Sequence, residues 1–236
     1  MIQTTTKQIV QKMFFAGVHI GHKKNQRNPK MIPYIYTEKE GLQIIDLFKT
    51  YQYLKSISLF LFNSSRQGKR VLFVGTKKQV TKCVEEAAND CNSWYVNRRW
   101  LGGLLTNWST MRKSISKIQT NIKIVQKSKK KEAEIEKQKK HLIKYFDGIK
   151  TMQELPDIVI IIGQHKEINA VKECKKLKIP SITILDTNCD PSLTDFFIPA
   201  NDDSLASVSF ILNQLSNAIK QGQKKSNKKK ITTFIN

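Results

Sequence analysis

The chain has 236 residues, 41 Lys and Arg against 19 Asp and Glu, a formal net charge of +22, and 39% hydrophobic residues. That length fits one large domain or a domain with an extension, and the apolar fraction supports a core but is low for a compact enzyme. An uncompensated charge of this size repels itself, so a polyanionic partner is expected, and no apolar run approaches transmembrane length.

The excess charge is segregated. Residues 1–37 hold six Lys or Arg, residues 91–131 hold ten and residues 204–236 hold six, and none of the three tracts contains an acid. Segregation of this kind marks contact surfaces rather than general solubility. Cys83, Cys91, Cys174 and Cys189 form no CxxC pair and are read as free buried thiols of a reduced, intracellular protein. The opening "MIQTTTKQIVQKMFF" lacks the pattern of a signal peptide.

In chain order, "TTTKQIVQKMFFAG" starts with threonine caps, ends at Gly17 and predicts a short amphipathic helix. "VHIGHKKNQRNPKM" shows no periodicity and is read as a basic loop. "IPYIYTEKEGLQIID" predicts a β-hairpin turning near Glu40-Gly41. The spacing of Leu47, Tyr51, Leu54, Ile57 and Leu61 predicts a helix between Asp46 and Gly68.

Short apolar runs then alternate with helices. "RVLFVGT", "SWYVN", "DIVIIIG", "PSITILD" and "DFFIPA" predict strands; helices are expected at 77–90, 166–177 and about 202–219. This pattern predicts an α/β fold with a doubly wound, parallel, five-stranded sheet.

One segment breaks the alternation. Trp108, Met111, Ile115, Ile118, Ile122 and Val125 follow three-four spacing, the pattern of a coiled-coil seam. "KSKKKE" reads as a basic turn, and Ile135, Leu142, Tyr145 and Ile149 mark a second helix. The two are expected to pair as an antiparallel helical hairpin projecting from the sheet.

No catalytic constellation stands out. "GTKKQ" follows a strand, but GxxxxGK[ST] and GxGxxG are both absent, so Gly75 reads as a tight turn. His19 and His22 are spaced HxxH without a cysteine pair nearby, and His165 and His141 lack partner patterns. Asp186, Asp190, Asp202 and Asp203 fall near strand ends; the favoured reading is Asx turns and helix caps, with Asp202 or Asp203 opening the last helix. No metal, cofactor or small-molecule substrate is expected.

"NRRWLGGLLTNW" packs two arginines, two glycines and two tryptophans into residues 97–108. Arg98 and Arg99 offer forked donors for phosphate. Trp100 and Trp108 serve either as stacking partners for bases or as half-buried anchors of the hairpin root, and anchoring is favoured. The arginines and the side chains of Asn97 and Asn107 are the better expected RNA contacts.

"FFAGVHIGHKKNQRNPKMIPYIY", "VLFVGTKKQ", "YVNRRWLGGLLTNW", "LPDIVIII", "KIPSITILDTNCDP" and "IPANDDSLAS" occur in that order. Together, from about residue 8 to residue 222, they resemble the second-protein (S-two) family of the small ribosomal subunit, in its bacterial and organellar form. The resemblance implies a Rossmann- or flavodoxin-like domain without catalysis, a protruding helical hairpin, and binding to small-subunit ribosomal RNA and neighbouring ribosomal proteins. It further implies a place on the solvent side of the subunit, between head and body, and late assembly. In bacteria it also implies a part in holding the subunit's large first protein near the messenger exit.

The family's N-terminal motif falls on His19, Gly21, His22, Lys23, Arg27, Asn28, Pro29 and Lys30. Its tryptophan–glycine motif falls on Asn97, Arg98, Arg99, Trp100, Leu101, Gly102, Gly103, Thr106 and Asn107. The departures are the lysine-rich hairpin tip, Asp147 in place of a usual glycine, Gly163 in place of a frequent acid, and a lysine tail in place of an acidic extension.

The expected organisation is 1–45, a basic N-terminal unit; 46–105 with 151–222, the sheet domain; 106–150, the hairpin; and 223–236, a basic tail expected to be disordered without RNA. Three RNA-contact patches are expected. The first comprises His19, His22, Lys23, Lys24, Arg27, Asn28 and Lys30. The second is 97–107, with Asn97, Arg98, Arg99, Trp100, Gly102, Gly103, Thr106 and Asn107. The third is the hairpin, with Arg112, Lys113 and Lys117. The wording of the motifs and the Lys, Asn and Ile richness point to a plastid ribosome and synthesis inside the organelle, with a bacterial cytoplasm as the alternative. The competing readings are an α/β enzyme using strand-end aspartates and a regulatory RNA-binding protein found off the ribosome.

Overall fold

The computed structural model describes residues 6–120 and 144–235, with side chains to residue 116 in the first stretch and to residue 226 in the second. The first helix, α1 (Thr6–Phe15), ends at Gly17, whose φ of +70° turns the chain back. The next segment departs from the sequence reading. Ile20–Lys23 is a strand, β1, in what was expected to be a loop, followed by two short 3-10 turns, Lys24–Gln26 and Pro29–Tyr34, the second of which takes the first three residues expected in the hairpin.

The predicted hairpin forms from β2 (Ile35–Lys39) and β3 (Leu42–Ile45), with Glu40 and Gly41 both at positive φ. That is the backbone a two-residue hairpin turn requires. β1 adds to the free edge of β3, giving a three-stranded antiparallel sheet in the order β1-β3-β2. An isolated two-stranded ribbon is marginal in water, and an open edge seeks a partner; both favour the extra strand.

Helix α2 (Leu47–Arg66) begins where expected: the Asp46 carboxylate accepts from the backbone N–H of Phe48 at 2.9 Å and of Lys49 at 3.3 Å. The main sheet then assembles from β4 (Val71–Val74), β5 (Trp94–Val96), β6 (Ile158–Ile162), β7 (Ser181–Leu185) and β8 (Phe196–Pro199), all parallel, in the order β5-β4-β6-β7-β8. Of the two orders left open by the sequence, this is the flavodoxin-like one. Helix α3 (Thr81–Asp90) starts four residues later than expected, α5 (Ile168–Leu177) two later, and α4 (Trp108–Thr120) lies between β5 and β6.

The sheet is covered on both faces. Phe73, Ile160 and Ile182 pack with α2, α3 and the last helix, while Leu72, Val74, Val159 and Ile161 pack with α5, Leu104, Leu105 and Ile149. Each fully buried aliphatic side chain contributes roughly 2 kcal/mol of hydrophobic transfer. Continuous apolar strands are the consequence of cover on two sides.

The last helix, α6 (Leu205–Ile235), is longer than expected and carries the lysine tail as helix rather than as a disordered extension. Asp202 and Asp203 do not cap it; the Asn201 side chain accepts from the N–H of Asp203 at 2.9 Å and of Ser204 at 3.0 Å, freeing both acids to face other groups.

Of the helical hairpin, α4 forms as predicted from Trp108, with Ile115 buried. Residues 121–143, which hold Ile122, Val125, the basic tip, Ile135, His141 and Leu142, lie outside the described residues. Ile149, placed by its spacing on the second helix, sits in a 3-10 turn (Asp147–Ile149) buried under the sheet. Gly148 beside it packs so closely that a Cβ there would stand 2.2 Å from the Tyr95 carbonyl oxygen. All four cysteines are free and buried, as expected.

Candidate nucleic-acid interface

The N-terminal patch is docked onto the C-terminal edge of the main sheet. The His22 N–H donates to Thr187 Oγ1 and the Asn28 N–H to the Thr187 carbonyl, both at 2.9 Å. Several of its cations are already engaged. Lys30 Nζ donates to Asp190 Oδ2 and Ser192 Oγ, both at 2.8 Å, and Lys24 pairs with Glu38 at 3.0 Å. Asn28 accepts from the Lys30 N–H at 3.0 Å, and Arg27 is half-buried. Lys23 is exposed, and its amine has no partner among the described residues.

The two histidines differ sharply. His19 stacks on Phe14 with ring centroids 4.5 Å apart; burial lowers its pKa and leaves Nδ1 without a partner. His22 Nδ1 lies 3.1 Å from Asp186 and Nε2 lies 3.4 Å from Asp203. The bond to Asp186 raises its pKa despite burial.

That second cluster was not foreseen. The strand-end acids gather around cations: Lys77 Nζ reaches Asp202 at 2.7 Å and Asp203 at 2.8 Å. Burial pushes Asp202 up to about 6 against the pull of Lys77. Ligand-type atoms of His22, Asp186 and Asp203 all lie within 4.8 Å of one another. An imidazole with two carboxylates suits a divalent ion such as zinc, which ordinarily takes four ligands. Asp190 alone among the four acids behaves as the expected Asx turn, accepting from the Ser192 N–H at 2.9 Å.

The stretch 97–107 is organised around one residue that sequence reasoning missed. Glu173, buried on α5, accepts Trp100 Nε1–H at 2.9 Å and the N–H groups of Gly103 (2.8 Å), Leu105 (2.9 Å) and Thr106 (3.0 Å), with Thr106 Oγ1 at 3.2 Å. Burial pushes this carboxyl up, but the donors outweigh it and its pKa ends below the ordinary value. A signal existed: Glu173 lies three residues after Ala170, on the face of the helix that enters the core. Gly103 takes φ +83°, which lets the loop wrap the carboxylate.

The consequence for each predicted contact is specific. Trp100 is 7% exposed and its indole points to Glu173, so it anchors the loop. Asn97 is buried, with Nδ2 donating to the Thr81 carbonyl at 3.2 Å and to Glu85 at 3.0 Å. Arg98, Arg99, Gly102, Thr106 and Asn107 are exposed, and neither guanidinium has a hydrogen bond or ion pair among the described residues. On α4, Arg112 donates to Gln153 Oε1 at 2.7 Å, Lys113 is exposed, and the Lys117 side chain lies outside the described residues.

A sequence model described as ribosomal protein S2 matches residues 13–222. The chain belongs to the ribosomal protein S2 family. It is 50% identical to the small ribosomal subunit protein uS2c of Oltmannsiellopsis viridis over 224 residues, covering 92% of this chain and 94% of that one. The uS2c protein of Euglena gracilis is 51% identical over 222 residues, covering 90% and 91%. The uS2 protein of Synechococcus sp. (strain JA-3-3Ab) is 47% identical over 214 residues, covering 88% and 80%. The S2 match spans the named residues of all three basic patches and the whole main sheet, so the Glu173-held loop and the docked N-terminal segment belong to the same family domain.

Proposed function

We propose that this S2-family chain is a structural constituent of the small ribosomal subunit, in a plastid ribosome, and that it binds small-subunit ribosomal RNA through its basic surfaces. The observation that carries this is the pair Arg98 and Arg99: two exposed guanidinium groups without partners among the described residues, on a loop fixed by the buried Glu173 carboxylate. A fixed loop loses little conformational freedom on binding, so its cations contribute more of their charge attraction to affinity. Phosphate neutralisation with counterion release supplies most of the free energy, and RNA is engaged by shape and backbone.

Lys23 and Lys113 join the arginines as exposed cations, while Lys24 and Lys30 must first leave their carboxylate partners. The four parts 1–45, 46–105 with 151–222, 106–150 and 223–236 then act as docking unit, scaffold, RNA-reaching arm and basic tail. Neighbouring small-subunit proteins complete its contacts. The protein acts without catalysis; its strand-end acids are neutralised by Lys77, His22 and Lys30 rather than poised around a substrate. The plastid assignment is supported by the uS2c proteins among its relatives.

The test is incorporation. With Arg98 and Arg99 both replaced by alanine, the chain is expected to keep its fold, read by circular dichroism, and to shift from small-subunit fractions to light fractions in sucrose gradients. Normal incorporation of the double variant at physiological salt would refute the assignment of these arginines.

A further inference from the structure

The strand order reverses its winding between β4 and β6, and open α/β sheets leave a crevice at such a point, outside the carboxyl ends of the strands. In this chain the crevice has a volume of about 430 Å³ and is lined by Thr76 after β4, Arg98 and Arg99 after β5, and Lys166, Glu167 and Asn169 after β6. That size is in the range of small-ligand pockets.

Its charge is decidedly positive. The two guanidinium groups have no partners among the described residues, and the Lys166 amine makes one bond, to the Thr76 carbonyl at 2.8 Å, with donors to spare. Among the described residues Glu167 is the sole acid lining it, and that carboxylate is turned onto Thr76, accepting its N–H at 3.0 Å and its hydroxyl at 2.5 Å. Helix α5 starts at Ile168, so the positive end of its dipole borders the crevice. The glycine-rich phosphate loops absent from the sequence are replaced by side-chain cations brought from two strand ends, those of β5 and β6.

We infer that this crevice binds a single phosphate-bearing ribonucleotide unit, with Arg98, Arg99 and Lys166 on the phosphate. Two sources carry that chemistry: a nucleotide of an RNA strand crossing the sheet edge, or a free mononucleotide. The first source rests on the RNA-binding reading above; the second does not.

The experiment uses the full chain, isotope-labelled, with amide NMR shifts recorded against a single-stranded hexauridylate and against AMP. Saturable shifts are expected at Thr76, Arg98, Arg99 and Asn169. The variant Asn169→Asp places a negative charge in the crevice; the position is exposed and aspartate is favoured in a first helical turn, so the fold is kept. It is expected to weaken binding at the crevice by about tenfold. Crevice shifts with the oligonucleotide alone support the inference with RNA as source, and shifts with both probes support it and admit free nucleotides. Oligonucleotide shifts near Lys23 and Lys113 with none at the crevice, or binding there undiminished in Asn169→Asp, overturn the inference and leave the RNA-binding reading standing. No shift anywhere with either probe overturns both.

Discussion

Glu173 gathers the Trp100 indole N–H, three backbone N–H groups and a hydroxyl onto one buried carboxylate. Its replacement by glutamine keeps the shape but turns an amide N–H₂ toward other donors. Leaving such groups unsatisfied costs about 3 kcal/mol, and Glu173→Gln is expected to lower the denaturation midpoint accordingly. The pH dependence has a definite sign. The Glu173 carboxyl titrates below its ordinary range, so its stabilisation is present above that range and is lost as pH falls through the folded value. The gap in Tm between wild type and Glu173→Gln is therefore expected to shrink on acidification; a constant gap would contradict the role. His22 behaves oppositely: its raised pKa gives stability present below the ordinary imidazole value and lost as pH rises through the folded one. The sequence shows a glutamate among lysines in "VKECKK" and nothing of the loop it holds, because its donors lie about seventy residues away in the chain.

At the scale of elements, several caps and turns were written locally and are found where they were read, the exception being Asp202 and Asp203, whose expected cap at the last helix is supplied by Asn201. Asp46 caps α2, Glu40-Gly41 turns the hairpin, and Gly17 ends α1. Asp46→Ala is expected to destabilise the protein by about 1 kcal/mol in chemical denaturation, the usual effect of losing a cap. The close approaches were not legible. Gly222 on α6 packs so tightly on α2 that a Cβ would lie 2.4 Å from the Phe62 carbonyl oxygen, and Gly148 meets Tyr95 in the same way. Gly148→Ala is expected to cost about 3 kcal/mol, more than helix or turn propensity accounts for. If its unfolding midpoint matches wild type, the packing of the 3-10 turn under β5 is wrong. β1 escaped the sequence reading for a related reason: four residues without alternation become a strand only because β3 offers an edge.

Over the whole molecule, the charge that dominates the composition is sorted by the fold into engaged and free cations. Lys77, Lys30, Lys24 and Lys220 are held by acids, whereas Arg98, Arg99, Lys23 and Lys113 are exposed and their charged groups have no hydrogen-bond or ion-pair partner among the described residues. Composition counts the two classes alike. The distinction is testable through salt: with small-subunit RNA, the slope of log affinity against log salt is expected to fall by about two for the Arg98→Ala, Arg99→Ala pair. The same double change at Lys30 and Lys77 is expected to move the slope less, since those amines are neutralised internally.

The α/β class, the parallel strands, the hairpin turn, the free thiols and the membership of the S2 family all followed from the sequence alone. Each rests on short-range pattern or on motif wording, and such information survives without coordinates. The flavodoxin-like strand order, the three-stranded N-terminal sheet, the gathering of His22 with Asp186 and Asp203, and the Glu173 anchor required the tertiary structure. These join residues far apart in the chain, and which distant partner a polar group meets is settled by how buried apolar faces stack, not by the residues that flank it.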